Sequence, residues 1–179
     1  MDKELDISVV QPQVSEPKGR LTFRKGERLH HHALVEQLFD KSESVYAYPL
    51  RMFWIVCERE RIHSLFHGTI PSQLDCLQMM VTVPKKKFKH AVDRVWLRRR
   101  IREAYRLHRH SLKQKLLDDP QGRFMQLAFI YVGDSKREYA SIEKKMKKLL
   151  EKAATLLDPS SQSAIQSAEA ETSSETQEG

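Results

Sequence analysis

The segment VPKKKFKHAVDRVWLRRRIREAYR, residues 83–106, combines a dense run of cations with a regular apolar repeat. From about Ala91, apolar residues recur at every third or fourth position, which predicts an amphipathic helix over residues 91–117. Its apolar stripe consists of Leu97, Ile101, Ala104 or Tyr105, His108, Leu112 and Leu116. Cations recur at the same spacing one position over, at Arg94, Arg98, Arg102, Arg106, Arg109 and Lys113. The first stripe therefore packs in a core, and we expect the second to face solvent as a row of positive charge.

Such a row is costly unless an anion neutralises it. Like charges four residues apart on a helix repel by about a few tenths of a kcal/mol per pair. The whole chain carries a net charge of +7, and residues 158–179 hold five acids and neither Lys nor Arg, which leaves +12 on residues 1–157. A field of this sign favours a polyanionic partner, with nucleic acid ahead of an anionic membrane surface.

The lysines that precede the predicted helix strengthen this interpretation. Lys85, Lys86, Lys87 and Lys89 lie where a strand ends and a helix begins, and the free N–H groups of a helix N-terminus favour anions. A solvated charged face is the simpler alternative, but a run of one sign argues against it. A helix that lies on a membrane or binds a partner's groove is a further alternative, but the apolar stripe has no large wedge beyond Trp96.

The remaining sequence predicts one α+β domain between two disordered ends. Residues 1–20 and 158–179 lack an apolar period and are predicted to be disordered, which leaves residues 21–157 as the domain. Periodicity predicts helices over residues 26–41 and 135–157, and strands over residues 50–57, 79–83 and 125–132. Residues 58–77 lack a clean period and are predicted to form a loop, with one helical turn as a further option. The predicted fold is a sandwich of one small sheet against helices.

Protein-borne catalysis and a metal site have little support in the sequence. No Ser/His/Asp set, phosphate-cradling Gly loop or close carboxylate pair is legible, and Glu103 among arginines is a salt-bridge brace. Cys57, His63, His67 and Cys76 are zinc-binding residue types, but their spacing is too loose for a zinc set. No apolar run approaches the roughly 20 residues that span a bilayer. We therefore expect a cytoplasmic protein whose two cysteines are free thiols.

The ordered motif within residues 83–106 resembles the protein component of bacterial ribonuclease P. That family has a strand, a Ser or Pro followed by lysines, a small apolar pair, an Arg-Asn-Arg core and the sequence Arg-Glu-Ala-Phe/Tyr-Arg. The corresponding residues here are Val83-Pro84-Lys85-Lys86, Ala91-Val92, Arg94, Arg98-Arg99 and Arg102-Glu103-Ala104-Tyr105-Arg106. Near the N-terminus, the residues that resemble the family's opening helix are Phe23, Lys25, Arg28-Leu29 and Leu38-Phe39. The resemblance covers about residues 21–157.

This resemblance implies a fold and a function. The fold is an αβββαβα sandwich with a left-handed βαβ crossover, contrary to the usual right-handed rule. The function is that of a monomeric subunit that binds one catalytic RNA and the 5′ leader of precursor tRNA, while Mg²⁺ bound mainly by the RNA carries the chemistry of leader cleavage. The alternative is a non-catalytic, structural RNA-binding protein of ribosomal type.

Two sets of binding residues follow from the resemblance. The set expected to bind RNA consists of Lys25, Arg28, Lys85, Lys86, Lys87, Lys89, Arg94, Arg98, Arg99, Arg102 and Arg106. The set expected to line the leader cleft consists of Phe23, Phe39, Tyr46, Tyr48, Arg51, Phe53 and Trp54. Aromatic faces beside a cation suit stacking on single-stranded RNA. For each aromatic residue taken alone, an ordinary core position is an equal alternative.

Two departures from the family pattern limit what can be carried over. Val95-Trp96 stands where the family has Asn-Arg, so contacts of that Asn, including bound metal ions, are not expected here. Residues 58–77 are also longer than the family's usual connection.

Overall fold

Four strands and five helices make up residues 22–157, the part of the chain that the computed structural model describes. After a 3-10 turn at Lys25–Glu27, the elements are α1 (His32–Lys41), β1 (Glu43–Ala47), β2 (Leu50–Cys57), α2 (Arg59–Leu65), β3 (Leu77–Thr82), α3 (Ala91–His108), α4 (His110–Leu117), β4 (Phe124–Tyr131) and α5 (Tyr139–Thr155). This order confirms the predicted αβββαβα pattern, to which α2 and α4 are added. The predictions of disorder for residues 1–20 and 158–179 lie outside the described residues.

The four strands form one sheet in the order β1-β2-β4-β3. β2 is antiparallel to both β1 and β4, whereas β3 and β4 are parallel and are joined through α3 and α4. Parallel neighbours require a crossover connection, so the βαβ unit implied by the resemblance is present, and its left hand stays a prediction. The N-terminal segment extends the β3 edge, because the Leu29 N–H donates to the Met79 carbonyl at 2.9 Å.

Alternating side chains place a core on each face of the sheet. On one face, strand residues such as Met52 and Phe129 pack against Leu97 and Tyr105 of α3 and against α4 and α5. On the other face, α1 and α2 cover a smaller core around Ala128. Because this second cover is smaller, part of the second sheet face stays open.

Several element boundaries differ from the sequence prediction. The first helix begins at His32 rather than at residue 26, because Arg28 is extended and the Leu29 N–H is hydrogen-bonded to β3. Residues 58–77 contain more helix than predicted, since α2 has seven residues and buries Ile62 completely. β1 is a separate strand that the sequence reasoning did not resolve from β2.

The helix predicted over residues 91–117 is divided at Arg109, between α3 and α4. The apolar period continues through the break, since Leu97 and Ile101 on α3 and Leu112 and Leu116 on α4 join the same core. Periodicity alone therefore did not reveal the interruption.

Candidate nucleic-acid interface

A row of side chains crosses all four strands on the open part of the second sheet face. Tyr46 pairs with Arg51, Arg51 with Ile130, and Ile130 with Thr82. Paired residues on neighbouring strands point to the same side of a sheet, so these four side chains share one face. All four are exposed or half-buried. At about 4.8 Å between strands, this sheet row spans roughly 14 Å.

Aromatic rings lie beside the sheet row. The Phe53 ring centroid is 5.7 Å from that of Phe39 and 4.7 Å from the guanidinium carbon of Arg51. Arg51 also donates from Nη2 to Ser44 Oγ at 2.9 Å. Phe39 is 45% exposed and Tyr46 is 62% exposed, although both have large apolar rings. Four predicted cleft residues, Phe39, Tyr46, Arg51 and Phe53, are therefore brought together.

The other three predicted cleft residues lie elsewhere. Trp54 packs with the larger core on the opposite sheet face. Tyr48 lies in the turn after β1, where its hydroxyl accepts a long hydrogen bond from Arg137 Nη2 at 3.4 Å. Phe23 packs edge-on against Tyr105 at a centroid distance of 6.0 Å. Phe53 and Trp54 are neighbours on β2, where successive side chains point to opposite faces of the sheet, so only Phe53 shares the face of the sheet row.

The lysine-rich segment forms an anchored loop between β3 and α3. Phe88 is 7% exposed and packs against Tyr131 at a centroid distance of 5.7 Å. Lys87 forms a salt bridge with Asp134, with Nζ 2.8 Å from Oδ1. The lysines of this loop that are exposed and form no ion pair within residues 22–157 are Lys85, Lys86 and Lys89.

Arg94 joins this loop to the first turn of α3. Its Nη1 donates to the carbonyls of Phe88 and Lys89, both at 2.7 Å. The loop and the helix N-terminus therefore form one unit, in which the lysines are held beside the first N–H groups of α3.

Arg102 of α3 faces the N-terminal segment across a groove of about 370 Å³, whose lining also includes Phe23, Arg28 and Met80. Partial burial, together with the charges of Arg98 and Arg28, lowers the pKa of Arg102 from its ordinary value. Burial is the larger cause of this lowered pKa, and the like charges of Arg98 and Arg28 add to it, since both disfavour the charged form of Arg102. We call this feature the cation groove.

Two members of the predicted outward row, Arg109 and Lys113, point inward, and that prediction was wrong. Both bind Glu27, which is 1% exposed: Arg109 Nη2 and Lys113 Nζ each lie 2.9 Å from its Oε1. Burial alone would lower the pKa of Lys113, but hydrogen bonds to Asp75 and Glu27 raise it above its ordinary value. A buried carboxylate is stable only when cations pair with it. Arg109 and Lys113 therefore turn toward Glu27 and do not follow the outward-facing stripe of the helix.

Sequence reasoning missed Glu27. The available signal was its position as the lone acid among the cations of residues 20–28. By contrast, the predicted Glu103 brace is present, because Arg106 Nε donates to Glu103 Oε2 at 2.9 Å. This hydrogen bond raises the pKa of Arg106 and lowers that of Glu103.

Val95 and Trp96, the residues that depart from the family pattern, differ in their surroundings. Trp96 is half-buried at the edge of the larger core, and the Arg100 guanidinium carbon lies 3.4 Å from its ring centroid. Val95 is 38% exposed beside Val92, which is 78% exposed. The first two turns of α3 therefore present an apolar surface flanked by arginines.

The remaining candidates are the cysteines and histidines that were considered as zinc ligands. Cys57 and Cys76 are free thiols; burial and the neighbouring Asp75 raise the pKa of Cys76 to about 11. Within residues 22–157, no group of three or more His, Cys, Asp and Glu side chains is placed to hold a metal ion. No helix in that part of the chain has the length and apolar character to cross a membrane.

Comparison with known proteins decides the family. The model of the family described as Ribonuclease P matches residues 23–154. The chain belongs to the Ribonuclease P family. A relative in Porphyromonas gingivalis, named ribonuclease P protein component, is 31% identical over 126 residues, covering 70% of this chain and 82% of that one. A relative of the same name in Chlorobium phaeobacteroides is 30% identical over 122 residues, covering 64% and 75%.

A solved Ribonuclease P family structure supports the fold. The RNase P protein of Staphylococcus aureus superposes with a TM-score of 0.51 at 18% identity, covering 72% of this chain and 96% of that chain. The fold is therefore shared. Val95-Trp96 departs from the sequence pattern expected of the Ribonuclease P family, and α2 lies within residues 58–77, the segment predicted to be longer than the family's usual connection.

Proposed function

We propose that the chain is the protein subunit of ribonuclease P, which binds the catalytic RNA and the 5′ leader of precursor tRNA to promote 5′ maturation. One observation carries the proposal beyond family membership. The cation groove adjoins the open sheet face, since Met80 lines the groove and lies two residues before Thr82 of the sheet row. A single surface thus offers cations for a folded RNA and aromatic faces for a single strand.

The catalytic RNA is assigned to the cation groove and the lysine loop. The exposed cations there have few acidic partners among the described residues, so phosphates would relieve the repulsion of Arg102 by Arg98 and Arg28, which adds to burial in lowering the pKa of Arg102. Arg106 is assigned a smaller share, because Glu103 already neutralises part of its charge. The alternative of a structural protein of ribosomal type has no observation in its favour.

The 5′ leader is assigned to the sheet row. Bases stack on aromatic faces with about 1–3 kcal/mol per base, largely without regard to sequence. Phe39 and Tyr46 are exposed enough to accept such bases, and Arg51 stands beside them to meet a phosphate. Trp54 and Tyr48 are left out of this assignment because they lie away from the row.

Mg²⁺ is assigned to the RNA because the acids of α3 do not fit a resident metal ion. Asp93 accepts a hydrogen bond from Lys136 Nζ at 2.8 Å, which lowers the pKa of its carboxyl, and Glu103 pairs with Arg106. Binding Mg²⁺ at either carboxylate would break an existing ion pair. The protein's part is to bind and position RNA, as one copy with one RNA in the cytoplasm.

Cleavage assays with separated components test this function. Purified protein alone should leave precursor tRNA intact, whereas the protein with its cognate catalytic RNA and Mg²⁺ should release the leader. The protein should also bind a precursor more tightly than a leaderless tRNA once the catalytic RNA is present. Specific, sustained cleavage by the protein alone would overturn the assignment of the chemistry, and equal affinity for both tRNAs would overturn the assignment of the leader.

A further inference from the structure

Glu27 lies at the centre of a buried charge cluster formed with Asp75, Arg109 and Lys113. Its Oε1 accepts hydrogen bonds from Arg109 Nη2 and Lys113 Nζ, each at 2.9 Å, and Lys113 Nζ also donates to Asp75 Oδ2 at 2.7 Å. Two acids balance two bases, so the cluster is neutral. It lies beside the cation groove without adding a cation to it.

The same cluster fixes the backbone of the N-terminal segment. Arg109 Nη2 donates to the Thr22 carbonyl at 3.0 Å, and Glu27 Oε2 accepts from the Arg24 N–H at 2.7 Å. Gly26 packs so closely that a Cβ there would lie 1.8 Å from the Gln73 carbonyl oxygen. Residues 22–29 therefore have one arrangement against α3, α4 and β3.

Lys25 and Arg28 lie on this segment and are exposed. Arg28 lines the cation groove together with Arg102 of α3. Like charges across a groove repel each other, so the two sides stay together only if something holds them. The buried ion pairs of Glu27 supply that restraint on the side of the N-terminal segment.

We propose that Glu27 is a positioning residue for RNA binding, which holds Arg28 opposite Arg102 so that both sides of the groove contact phosphates of one RNA. This inference rests on the proposed function. It also predicts that RNA affinity changes in the direction opposite to the one that overall charge predicts. Removing an acid from a polyanion-binding protein ordinarily strengthens binding, whereas loss of the positioning carboxylate weakens it.

Salt-dependent binding of the full-length protein to its catalytic RNA tests the proposal. Arg28→Ala should make the slope of log affinity against log salt shallower by about 0.7–0.9, the change for one lost phosphate contact. Glu27→Gln removes no cation, yet it should produce a similar change and lower affinity about fivefold at 0.15 M salt, the factor that this slope gives relative to 1 M. Adding Arg28→Ala to Glu27→Gln should then change little.

Asp119→Asn is the matched control, because it also removes a carboxylate from a buried ion pair. Asp119 is 7% exposed and lies 2.8 Å from Arg123 in the turn between α4 and β4. We expect a lower melting temperature from this variant, with no change in salt slope. Binding is measured below the melting transition of each variant. If Glu27→Gln does not fold, Lys113→Met weakens the same cluster and is tested for the same coupling with Arg28→Ala.

The outcomes distinguish the positioning role of Glu27 from RNA binding in the cation groove. If Glu27→Gln matches Asp119→Asn in slope, or binds RNA more tightly than the unmodified chain, the positioning role is overturned. If Arg28→Ala and Arg102→Ala both leave the slope unchanged, the cation groove does not bind RNA, and the proposed interface fails with it.

Discussion

Charge and packing are separated on α3 at the level of single side chains. Arg102 is exposed and crowded by other cations, whereas Trp96 packs at the edge of the core under Arg100. Arg102→Ala should make the salt slope of RNA binding shallower by about 0.7–0.9 and leave the melting temperature unchanged or slightly raised. Trp96→Ala should lower the free energy of unfolding by roughly 2 kcal/mol, less than a fully buried aromatic loses, with the slope unchanged.

Titrations at several salt concentrations and thermal melts of the same samples distinguish these two effects. Arg59→Ala on α2 is a control for loss of one exposed cation away from the groove. An unchanged slope for Arg102→Ala would remove α3 from the interface. A changed slope for Trp96→Ala would show that Trp96 acts through the charge of Arg100 rather than through packing.

The directions of individual side chains were predicted only where one element decides them. The outward position of Arg98 and Arg102 follows from the helical period of α3 alone. The inward turn of Arg109 depends on Glu27, 82 residues away in sequence, which no local pattern contains. Trp54 was misplaced because it directly follows Phe53 on β2, so the two side chains point to opposite faces of the sheet.

At the scale of elements, α3 lacks a side-chain N-cap. His90 occupies that position with extended backbone angles and makes no capping hydrogen bond. His90→Ser should stabilise the fold by about 1 kcal/mol, because a Ser hydroxyl accepts from the free N–H groups of the first turn. His90→Asp should stabilise at least as much, since its charge also favours the helix dipole.

RNA binding should distinguish His90→Ser from His90→Asp. His90→Ser leaves the lysine loop without a new charge, so its affinity should be unchanged. His90→Asp places an anion beside Lys89 and the α3 N-terminus, where a phosphate is expected, and should weaken binding while the melting temperature rises. Denaturant unfolding and RNA titration measure the two quantities. Equal affinities for both variants would show that no phosphate binds at this helix N-terminus.

Elements with a strong local period were predicted well, and those that depend on distant contacts were not. β2 was predicted with its observed bounds, and α3 begins at Ala91, where the helix was predicted to begin. The start of α1 was misjudged because Leu29 pairs with β3, fifty residues later in the chain. The break at Arg109 was invisible because the apolar period continues across it into α4.

For the molecule as a whole, the parallel β3–β4 pair determines which cations meet. The crossover that joins these strands carries the lysine loop and α3, while the N-terminal segment adds to the β3 edge at Leu29. The resemblance predicts that both the N-terminal segment and α3 bind RNA. The topology explains how Arg28 of the first and Arg102 of the second line one groove. The predicted α+β class was confirmed because it depends on the order of elements, which local periods reveal.

The uneven charge of the whole chain gives the last prediction. Residues 160–179 hold four acids and no Lys or Arg, so their removal raises the net charge from +7 to +11. Their composition offers little to bury, so the melting temperature should not change. Affinity for the catalytic RNA should not fall, and at low salt it should rise, because the tail's charge opposes phosphate. The gain should shrink as the Debye length decreases from about 10 Å at 0.1 M to 3 Å at 1 M salt.

A full-length variant with Glu169, Glu171, Glu175 and Glu178 changed to Gln separates charge from length and should reproduce the gain. Unrelated RNA should gain as much as the cognate RNA, since the effect does not depend on sequence. A lower melting temperature after truncation would mean that the tail packs on the domain, and weaker RNA binding would mean that it supplies contacts of its own.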